Sequence, residues 1–346
     1  MGVNLTPIMI KHSLSLADLN AKRLAVDANN YLYQFLALLR TRDGTPLKDS
    51  HGNITSHLAG LLFRSTRLIR DYNIDLVFVF DGEPPELKRE ELRKRRENRE
   101  KALEEWRKAL RAGDYAKGFS KAVMTSRLTK PMIEDAKRLL LFLGIPFVQA
   151  PSEGEAQASY MAKRGDVWAA SSKDYDGVLF GAPRLLRFLT IHGKEYLPSK
   201  GTTRPLKPEM IVLHEFLSSH RITHQQLVDI AILVGTDFNQ GVKGTGPKTA
   251  LKLIKEHKRI ENLPGDYLSK VAPEFQKVRD IYFHPKTTSH YDMEYGSLLE
   301  DDLLHFLCDQ RDFARNRVET AVHRMRAFYK ERQQRKLEGW FKEKNL

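Results

Sequence analysis

The residues most able to do chemistry are two pairs of acids, each with one residue between its members. Glu153 and Glu155 flank a glycine, and Asp174 and Asp176 flank a tyrosine a short way downstream. Clustered carboxylates repel one another unless a cation, a basic neighbour or water compensates them. Oxygen-only ligands suit Mg²⁺ or Mn²⁺, and two such ions about 3.5–4 Å apart can assist both sides of a phosphoryl displacement. We therefore predict that these acids hold hard divalent metal ions.

Each pair also has an ordinary structural interpretation. Ser152 and Glu155 have the spacing of a capping box, and acids in the first turn of a helix are favoured by the helix dipole. Asp174 and Asp176 fit a plain turn, because Asp favours turns. For one pair at a time, these structural interpretations are the stronger ones. Whether the two pairs bind metal therefore depends on where the other acids lie.

The elements that would position these acids are short apolar runs with the character of buried parallel strands. Such runs at 24–27, 76–80, 145–149 and 167–171 each end on an acid or lead into one. In an open parallel sheet, ligands bind in the crevice beyond the carboxyl ends of the strands. One such acid would be ordinary, but four loops that repeat it favour metal ligation. The acids predicted to converge are Asp27, Asp81, Glu153, Glu155, Asp174 and Asp176.

Amphipathic helices are predicted between these strands, at about 31–40, 56–71 and 129–143. A fifth strand is predicted at 187–191, and the C-terminal third is predicted to be mostly helical. Strands and helices that alternate in this way predict an α/β fold with a central, mostly parallel sheet flanked by helices.

The segment 86–111 has a different character, with eleven Lys or Arg and seven Glu and with neither Pro nor Gly. Pairs such as Glu90 and Lys94 are four residues apart, which supports a solvent-exposed helix. One interpretation is a salt-bridged surface helix, and the other is an arch over the strand ends that meets phosphates. The formal net charge of +13 favours a polyanion partner such as nucleic acid, or less readily an acidic membrane surface.

Composition also limits where the protein works. No run of eighteen apolar residues is present, so no membrane span is predicted, and the N-terminus does not predict a signal peptide. The single cysteine, Cys308, excludes an intramolecular disulfide and a cysteine-based zinc site. These features predict an intracellular protein.

Two further segments could bind partners. The glycine turn at 244–249 lacks the spacing of a Walker loop but opens a predicted helix, whose N–H groups could hold a phosphate. An ordinary helix–helix turn fits these residues equally well. In the polar tail, Trp340 and Phe341 would be costly if exposed, so they either dock on a partner or pack on their own domain.

Together, these residues resemble the flap endonucleases, a family of structure-specific 5′ nucleases of DNA replication and repair. The resemblance covers nearly the whole chain, and its most specific parts are F-D-G-E-P-P at 80–85, A-P-S-E-G-E-A at 150–156 and G-T-D at 235–237. It implies a PIN-like nuclease core that hydrolyses DNA at 5′-flap junctions, with 5′-3′ exonuclease activity. It also implies a site for two Mg²⁺ ions, with Mn²⁺ able to substitute, and adds Asp237 as a seventh ligand.

The resemblance assigns further roles residue by residue. Lys88 and Arg95 match the family's catalytic basic residues, and Tyr33 matches an aromatic on which a base stacks. Thr55 and Arg317 fall near the place where a one-nucleotide 3′ flap is gripped, with local spacing that differs by one residue. The resemblance also implies a helix-hairpin-helix element that contacts duplex DNA and can hold a K⁺ ion, with Gly244, Gly246, Lys248 and Thr249. It further implies contacts with a PCNA-type sliding clamp through Gln334, Leu337, Trp340 and Phe341.

The implied organisation is one nuclease domain at 1–330, with a helical arch at about 84–128 and a helix-hairpin-helix region at about 227–260. A flexible clamp-binding tail follows at 331–346. The tail has no long basic extension, which resembles archaeal members. We therefore expect a monomer that acts on branched DNA in the cytoplasm or nucleoid rather than in a nucleus, with no membrane partner.

Two alternative functions use the same observations. A PIN-type ribonuclease would share the acids, but the long charged segment and the glycine turn argue against it. A non-catalytic DNA-binding adaptor tethered to the clamp would share the basic charge and the tail, but the intact set of acids argues against it.

Overall fold

The described part of the chain is built around one central sheet. A computed structural model of the protein describes residues 2–41, 43–189, 193–197 and 202–344. In chain order its strands are β1 (His12–Ser13), β2 (Arg23–Asp27), β3 (Asp75–Phe80), β4 (Phe147–Gln149), β5 (Ala169–Ser171), β6 (Arg184–Arg187), β7 (Gly193–Leu197), β8 (Thr202–Leu206) and β9 (Glu209–Val212). Its helices are α1 (Ala28–Leu38), α2 (Ser56–Tyr72), α3 (Arg89–Arg111), α4 (Tyr115–Met124), α5 (Lys130–Leu143), α6 (Gly154–Arg164), α7 (Asp176–Leu179), α8 (Leu213–His220), α9 (His224–Val234), α10 (Pro247–His257), α11 (Gly265–Leu268), α12 (Phe275–Phe283), α13 (Glu300–Leu304) and α14 (Arg315–Lys344).

The central sheet has the strand order β1-β9-β6-β5-β2-β3-β4. Strands β6, β5, β2, β3 and β4 run parallel to one another, whereas β9 pairs antiparallel with both β1 and β6. The prediction of a mostly parallel sheet is therefore confirmed. Because β5, β2, β3 and β4 are parallel neighbours, their carboxyl ends lie along the same edge of the sheet.

Helices cover both faces of the sheet, because alternate residues of a strand point to opposite faces. In β3, Val77 and Val79 belong to the hydrophobic core formed with α6, α7 and α9. Leu76, Phe78 and Phe80 belong to the other core, formed with α1, α2, α5 and α14. A strand buried on both faces is apolar at every position, which explains the continuous apolar run in the sequence.

The helices predicted at 31–40, 56–71 and 129–143 correspond to α1, α2 and α5, with ends that differ by three residues or fewer. The fifth strand was predicted too late in the chain. It is β6, which ends at Arg187, and residues 190–191 of the prediction lie outside the described residues. Phe188 has φ of +59°, and this left-handed conformation ends the extended run.

The charged segment forms a short 3₁₀ turn at Glu86–Lys88 followed by the long helix α3. Its buried residues are Ala102 and Ala109, so the rest of α3 is in contact with solvent. Trp106 of this helix donates a hydrogen bond to the backbone oxygen of Asp43 at 3.2 Å, which ties the helix to the connection between α1 and α2. In the ranges that the structure covers, no helix combines the length and apolar character needed to cross a membrane.

Candidate active site

Acids from separate elements meet at the carboxyl edge of the sheet. Asp27 is the last residue of β2, and Asp81 follows β3 directly. Asp27 Oδ1 accepts a hydrogen bond from the backbone N–H of Asn30 at 3.0 Å, so the acid that ends the strand also caps α1. Asp81 Oδ1 accepts a hydrogen bond from the backbone N–H of Gly154 at 2.7 Å. Neighbouring parallel strands thus bring together acids that are far apart in the sequence.

The Glu153 and Glu155 pair lies at the start of α6, but the predicted capping box is wrong. The N-cap residue is Glu153, and Ser152 Oγ instead donates to the backbone oxygen of Glu83 at 2.8 Å. The chain stays extended for one more residue than expected, because Asp81 accepts the hydrogen bond at the helix start. Neither glutamate is needed to cap the helix, so both carboxylates remain available to the crevice.

The loop after β5 brings its two acids into the same crevice. Asp176 begins α7, is buried, and accepts a hydrogen bond at Oδ1 from the hydroxyl of Tyr282 at 2.9 Å. The hydroxyl of Ser172 lies 2.5 Å from Glu155 Oε1 and 3.3 Å from Asp27 Oδ2, so it can donate to either carboxylate. Sequence reasoning missed both hydroxyls. Tyr282 lies in α12 without any local signal, and the one signal for Ser172 is its place directly after a strand.

Burial and crowding change the protonation of these acids. Burial, followed by the charges of Asp237 and Asp174, raises the pKa of Asp176 to about 7. Burial, followed by the charges of Asp176 and Asp27, raises the pKa of Glu155 well above its usual value. The pKa of Asp27 is raised in the same way. The acids therefore share one electrostatic environment, which a divalent cation would relieve.

Two cations from the start of the charged segment 86–111 reach the same acids. Lys88 forms an ion pair with Glu153, and its Nζ lies 3.7 Å from Asp237 Oδ2. Arg95 Nη2 lies 2.5 Å from the same Asp237 oxygen, and Arg95 Nε lies 2.9 Å from Glu91 Oε1. Burial acts to lower the pKa of Lys88, but the neighbouring carboxylates raise it, so the lysine stays charged. Burial acts to raise the pKa of Asp237, but the two cations lower it.

The donor set of the crevice fits hard divalent cations, because it offers carboxylate oxygens. Among the described residues, no three His, Cys, Asp or Glu side chains already stand as a formed metal site. Lys88 and Arg95 hold two of the acids, Glu153 and Asp237, in ion pairs. A Cβ at Gly2 would collide with the carboxylate of Asp176, so a glycine is needed where the N-terminal segment packs against the acids. Asn29 Oδ1 is buried and has no hydrogen-bond partner in the described part of the chain, which adds a neutral oxygen.

The predicted hairpin lies between α9 and α10, and it follows Asp237 in the sequence. Gly244 has φ of +83° and nothing within 4 Å of the position its Cβ would take. Gly246 is the N-cap of α10 and has no side chain to cap the helix, and Pro247 has no N–H, so the first uncapped donors belong to Lys248 and Thr249. Lys248 and Thr249 are exposed. The turn therefore presents backbone donors beside a lysine, as phosphate binding requires.

Thr55 and Arg317 line the same pocket, although they belong to opposite ends of the chain. The pocket has a volume of about 480 Å³, and its lining also includes Lys48, Arg64 and Arg311. Thr55 is buried, and the guanidinium carbon of Arg317 lies 4.8 Å from the ring centroid of Phe63, which also lines the pocket. The basic lining makes the pocket suited to a phosphate-bearing ligand.

The remaining predicted residues make no hydrogen bond or ion pair with the acids in the part of the chain whose side chains are described. Tyr33 is on α1 and is 38% exposed, so its ring is available for stacking. Gln334 is exposed near the end of α14, whose backbone continues to Lys344. The side chains of the other predicted clamp anchors, Leu337, Trp340 and Phe341, lie outside the described residues.

Comparisons with known proteins show the family of the chain. Residues 1–102 match the XPG N-terminal domain and residues 144–237 match the XPG I-region. The chain is 46% identical to flap endonuclease 1 of Pyrococcus furiosus, over 99% of this chain and 100% of that protein. It is 45% identical to flap endonuclease 1 of Pyrococcus abyssi, over 99% of this chain and 98% of that protein.

Solved structures show the same relationship. Flap endonuclease-1 of Methanococcus jannaschii has a TM-score of 0.76 at 39% identity, covering 96% of this chain and 100% of that one. The catalytic core of Rad2 in complex with DNA substrate has a TM-score of 0.67 at 24% identity, covering 91% and 96%, and this likeness concerns the fold. The sheet and its acid-lined edge define a nuclease of the PIN-like α/β class. The chain belongs to the flap endonuclease 1 family, which confirms the resemblance inferred from sequence.

Proposed function

We propose that this protein is a structure-specific 5′ nuclease that hydrolyses DNA at 5′-flap junctions and also acts as a 5′-3′ exonuclease. The observation that carries this proposal is the meeting of acids from separate elements with Lys88 and Arg95 at one edge of the sheet. Full-length relatives named flap endonuclease 1 support the same function. We place the protein, as a monomer, in DNA replication and repair inside the cell.

The acids would hold the metal ions, and basic residues of the proposed arch would stabilise negative charge on the scissile phosphate. When bound, two Mg²⁺ ions, or Mn²⁺ in their place, supply an activated water and offset negative charge in an in-line displacement. Lys88 and Arg95 would leave their carboxylate partners to stabilise the scissile phosphate. The products would be a 5′-phosphate on the duplex and a 3′-hydroxyl on the released flap. The residues that would hold the ions are Asp27, Asp81, Glu153, Glu155, Asp174, Asp176 and Asp237.

Binding of the duplex is proposed to use contacts that do not read sequence. The hairpin at 244–249 would hold the duplex backbone through its N–H groups and Lys248, with a K⁺ ion at its carbonyl oxygens. Tyr33 would stack on a base near the crevice, a contact worth about 1–3 kcal/mol. Such contacts suit an enzyme that recognises a junction by its shape.

A cleavage assay across substrates tests the function and both alternatives. We expect cleavage of a 5′-flap duplex with Mg²⁺, weaker cleavage of gapped duplex, and little cleavage of single-stranded DNA or RNA. Efficient cleavage of single-stranded RNA without a junction would favour the ribonuclease. Tight flap binding with no turnover in either Mg²⁺ or Mn²⁺ would favour the adaptor and contradict the proposed function.

The pocket lined by Thr55 and Arg317 is proposed to grip a one-nucleotide 3′ flap, because four basic side chains and one acidic side chain line it. Arg317→Ala should lower the rate advantage of a substrate with that flap over the same substrate without it by about tenfold. The reason is that a hydrogen bond to a charged group is worth about 1.5–3 kcal/mol. Single-turnover rates on the two substrates measure the advantage.

Arg326→Ala is the matched control for this pocket. Arg326 lies on the same helix, α14, but pairs with Glu300 on the surface. Its replacement should leave the preference for the 3′ flap unchanged. Equal loss of preference in both variants would assign the effect to general charge rather than to the pocket.

The tail is proposed to dock on a PCNA-type sliding clamp through Gln334, Leu337, Trp340 and Phe341. Deleting residues 334–346 should remove stimulation by the clamp and spare basal flap cleavage, because the deleted segment follows the elements that form the crevice. Cleavage rates with and without clamp on circular flap substrates provide the measurement. Stimulation that survives the deletion would contradict the assignment.

A further inference from the structure

The first turn of α1 carries two neighbouring asparagines that contact different acids. Asn29 Nδ2 donates to Asp81 Oδ2 at 2.8 Å, and Asn30 Nδ2 donates to Asp174 Oδ2 at 2.8 Å. Consecutive side chains of a helix diverge by about 100°. Because α1 follows β2, which lies between β5 and β3 in the sheet, the two amides reach the loops on either side.

We propose that Asn29 and Asn30 are positioning residues for metal binding, and that they fix the carboxylates of Asp81 and Asp174 in the orientation the ions require. This inference rests on the proposed metal-dependent function. Groups that hydrogen-bond to metal ligands commonly change metal affinity about 10- to 100-fold when they are removed.

Neutral donors suit this task because they orient a carboxylate without cancelling its charge. In the described part of the chain, neither Asp81 nor Asp174 forms a salt bridge, whereas Glu153 is ion-paired with Lys88. A cationic partner would have to be displaced before an ion could bind, and its removal from a buried carboxylate costs free energy. Each carboxylate oxygen has two lone pairs, so an amide can keep its hydrogen bond while the carboxylate meets the ion. This holds for Asp81 as well, whose other oxygen accepts the Gly154 N–H.

The asparagines are themselves held in place. Asn30 Oδ1 accepts hydrogen bonds from Gln34 Nε2 at 2.6 Å and from the backbone N–H of Lys173 at 3.3 Å. Asn30 therefore ties α1 to both the backbone and the acid of the loop after β5. The Oδ1 atom of Asn29, buried without a hydrogen-bond partner among the described residues, remains as a neutral oxygen next to the acid that Asn29 orients.

Direct Mn²⁺ binding to the full chain without DNA tests the inference, with free Mn²⁺ measured by its electron paramagnetic resonance signal. Asn29→Leu and Asn30→Leu keep the side-chain size but remove the donor, and each should weaken Mn²⁺ binding about 10- to 100-fold. Asn30→Gln keeps an N–H donor and should retain more affinity than Asn30→Leu. Asn262→Ala is the matched control, since its amide donates to the backbone oxygen of His257 at 3.0 Å in an exposed position.

The Mg²⁺ dependence of cleavage separates positioning from general damage. In the Leu variants the Mg²⁺ concentration for half-maximal cleavage should rise by the same factor as the Mn²⁺ dissociation constant, and saturating Mg²⁺ should restore most of the rate. If a Leu variant does not fold, Asn29→Ser and Asn30→Ser, whose hydroxyls are too short to reach the acids, take its place.

The inference would be overturned if the Leu variants bind Mn²⁺ with affinities within about twofold of the unsubstituted protein. Removal of a group that orients a metal ligand should weaken binding by more than that. A loss of rate that is equal at all Mg²⁺ concentrations would overturn it as well. Failure of the proposed function has a different signature. The unsubstituted protein would then bind Mn²⁺ and cleave no flap, while the binding comparison between variants would still decide the role of the asparagines.

Discussion

Asp174→Ala should abolish cleavage of a 5′-flap duplex and leave DNA binding largely intact. The Asp174 carboxylate is oriented by Asn30, and its charge acts on Asp27, Glu155 and Asp176. Its loss removes a ligand and an orienting contact together, whereas the hairpin and the arch stay unchanged. We expect a fall in the single-turnover rate of about a thousandfold or more, the upper end of the cost of losing one charge-stabilising group.

Rapid-quench cleavage and fluorescence anisotropy on the same flap substrate measure the two quantities separately. Asp174→Asn keeps the size of the side chain and should be nearly as inactive, which assigns the effect to charge. Asp280→Ala, at a side chain that is 70% exposed, is the control and should be fully active. An Asp174→Ala variant with full activity would contradict the proposed metal site.

Lys88→Ala should slow the chemical step more than it weakens binding. Lys88 lies within the acid crevice, with its side chain 14% exposed, and the carboxylates around it keep it charged. A cation in this place can stabilise the charge that develops on the scissile phosphate. Loss of one such preorganised group costs about 10²–10³-fold in rate. The loss should not be restored by more Mg²⁺, because the metal ligands remain.

Lys94→Ala is the matched control for this prediction. Lys94 lies on α3, close to Lys88 in the chain, but its Nζ is 3.8 Å from Glu90 on the exposed side of the helix. Its replacement should lower affinity slightly, through the loss of one phosphate attraction, and leave the single-turnover rate unchanged. Equal losses of rate and affinity in Lys88→Ala would mean that Lys88 merely tethers phosphate.

The acids of the crevice show why part of the site could be predicted from the sequence. A strand buried on both faces has to be apolar along its length, so the runs before Asp27 and Asp81 were visible without a structure. Parallel neighbours place their carboxyl ends together, so the acids that follow them were expected to converge. Asp237 follows a helix, and it entered the prediction through the family resemblance alone.

Other details depended on contacts between distant segments. Ser152 has the spacing of a capping residue, yet α6 starts one residue later because Asp81 supplies the cap from the loop after β3. Tyr282 reaches Asp176 from a helix more than a hundred residues further along the chain. The family resemblance suggested that Thr55 and Arg317 bind the same ligand, but only the structure shows that they line one pocket.

The sequence by itself therefore determined the parallel strands β2 to β5, the acids that follow them and the family, since all three depend on local residue patterns. It did not determine the antiparallel strands β1 and β9 at one side of the sheet. The tertiary structure decided how the acids are held. Asn29 and Asn30 orient two of them, Ser172 and Tyr282 contact others, and the cations Lys88 and Arg95 pair with Glu153 and Asp237. These partners come from elements that meet only when the chain folds, because side-chain hydrogen bonds and ion pairs require approach within a few ångströms.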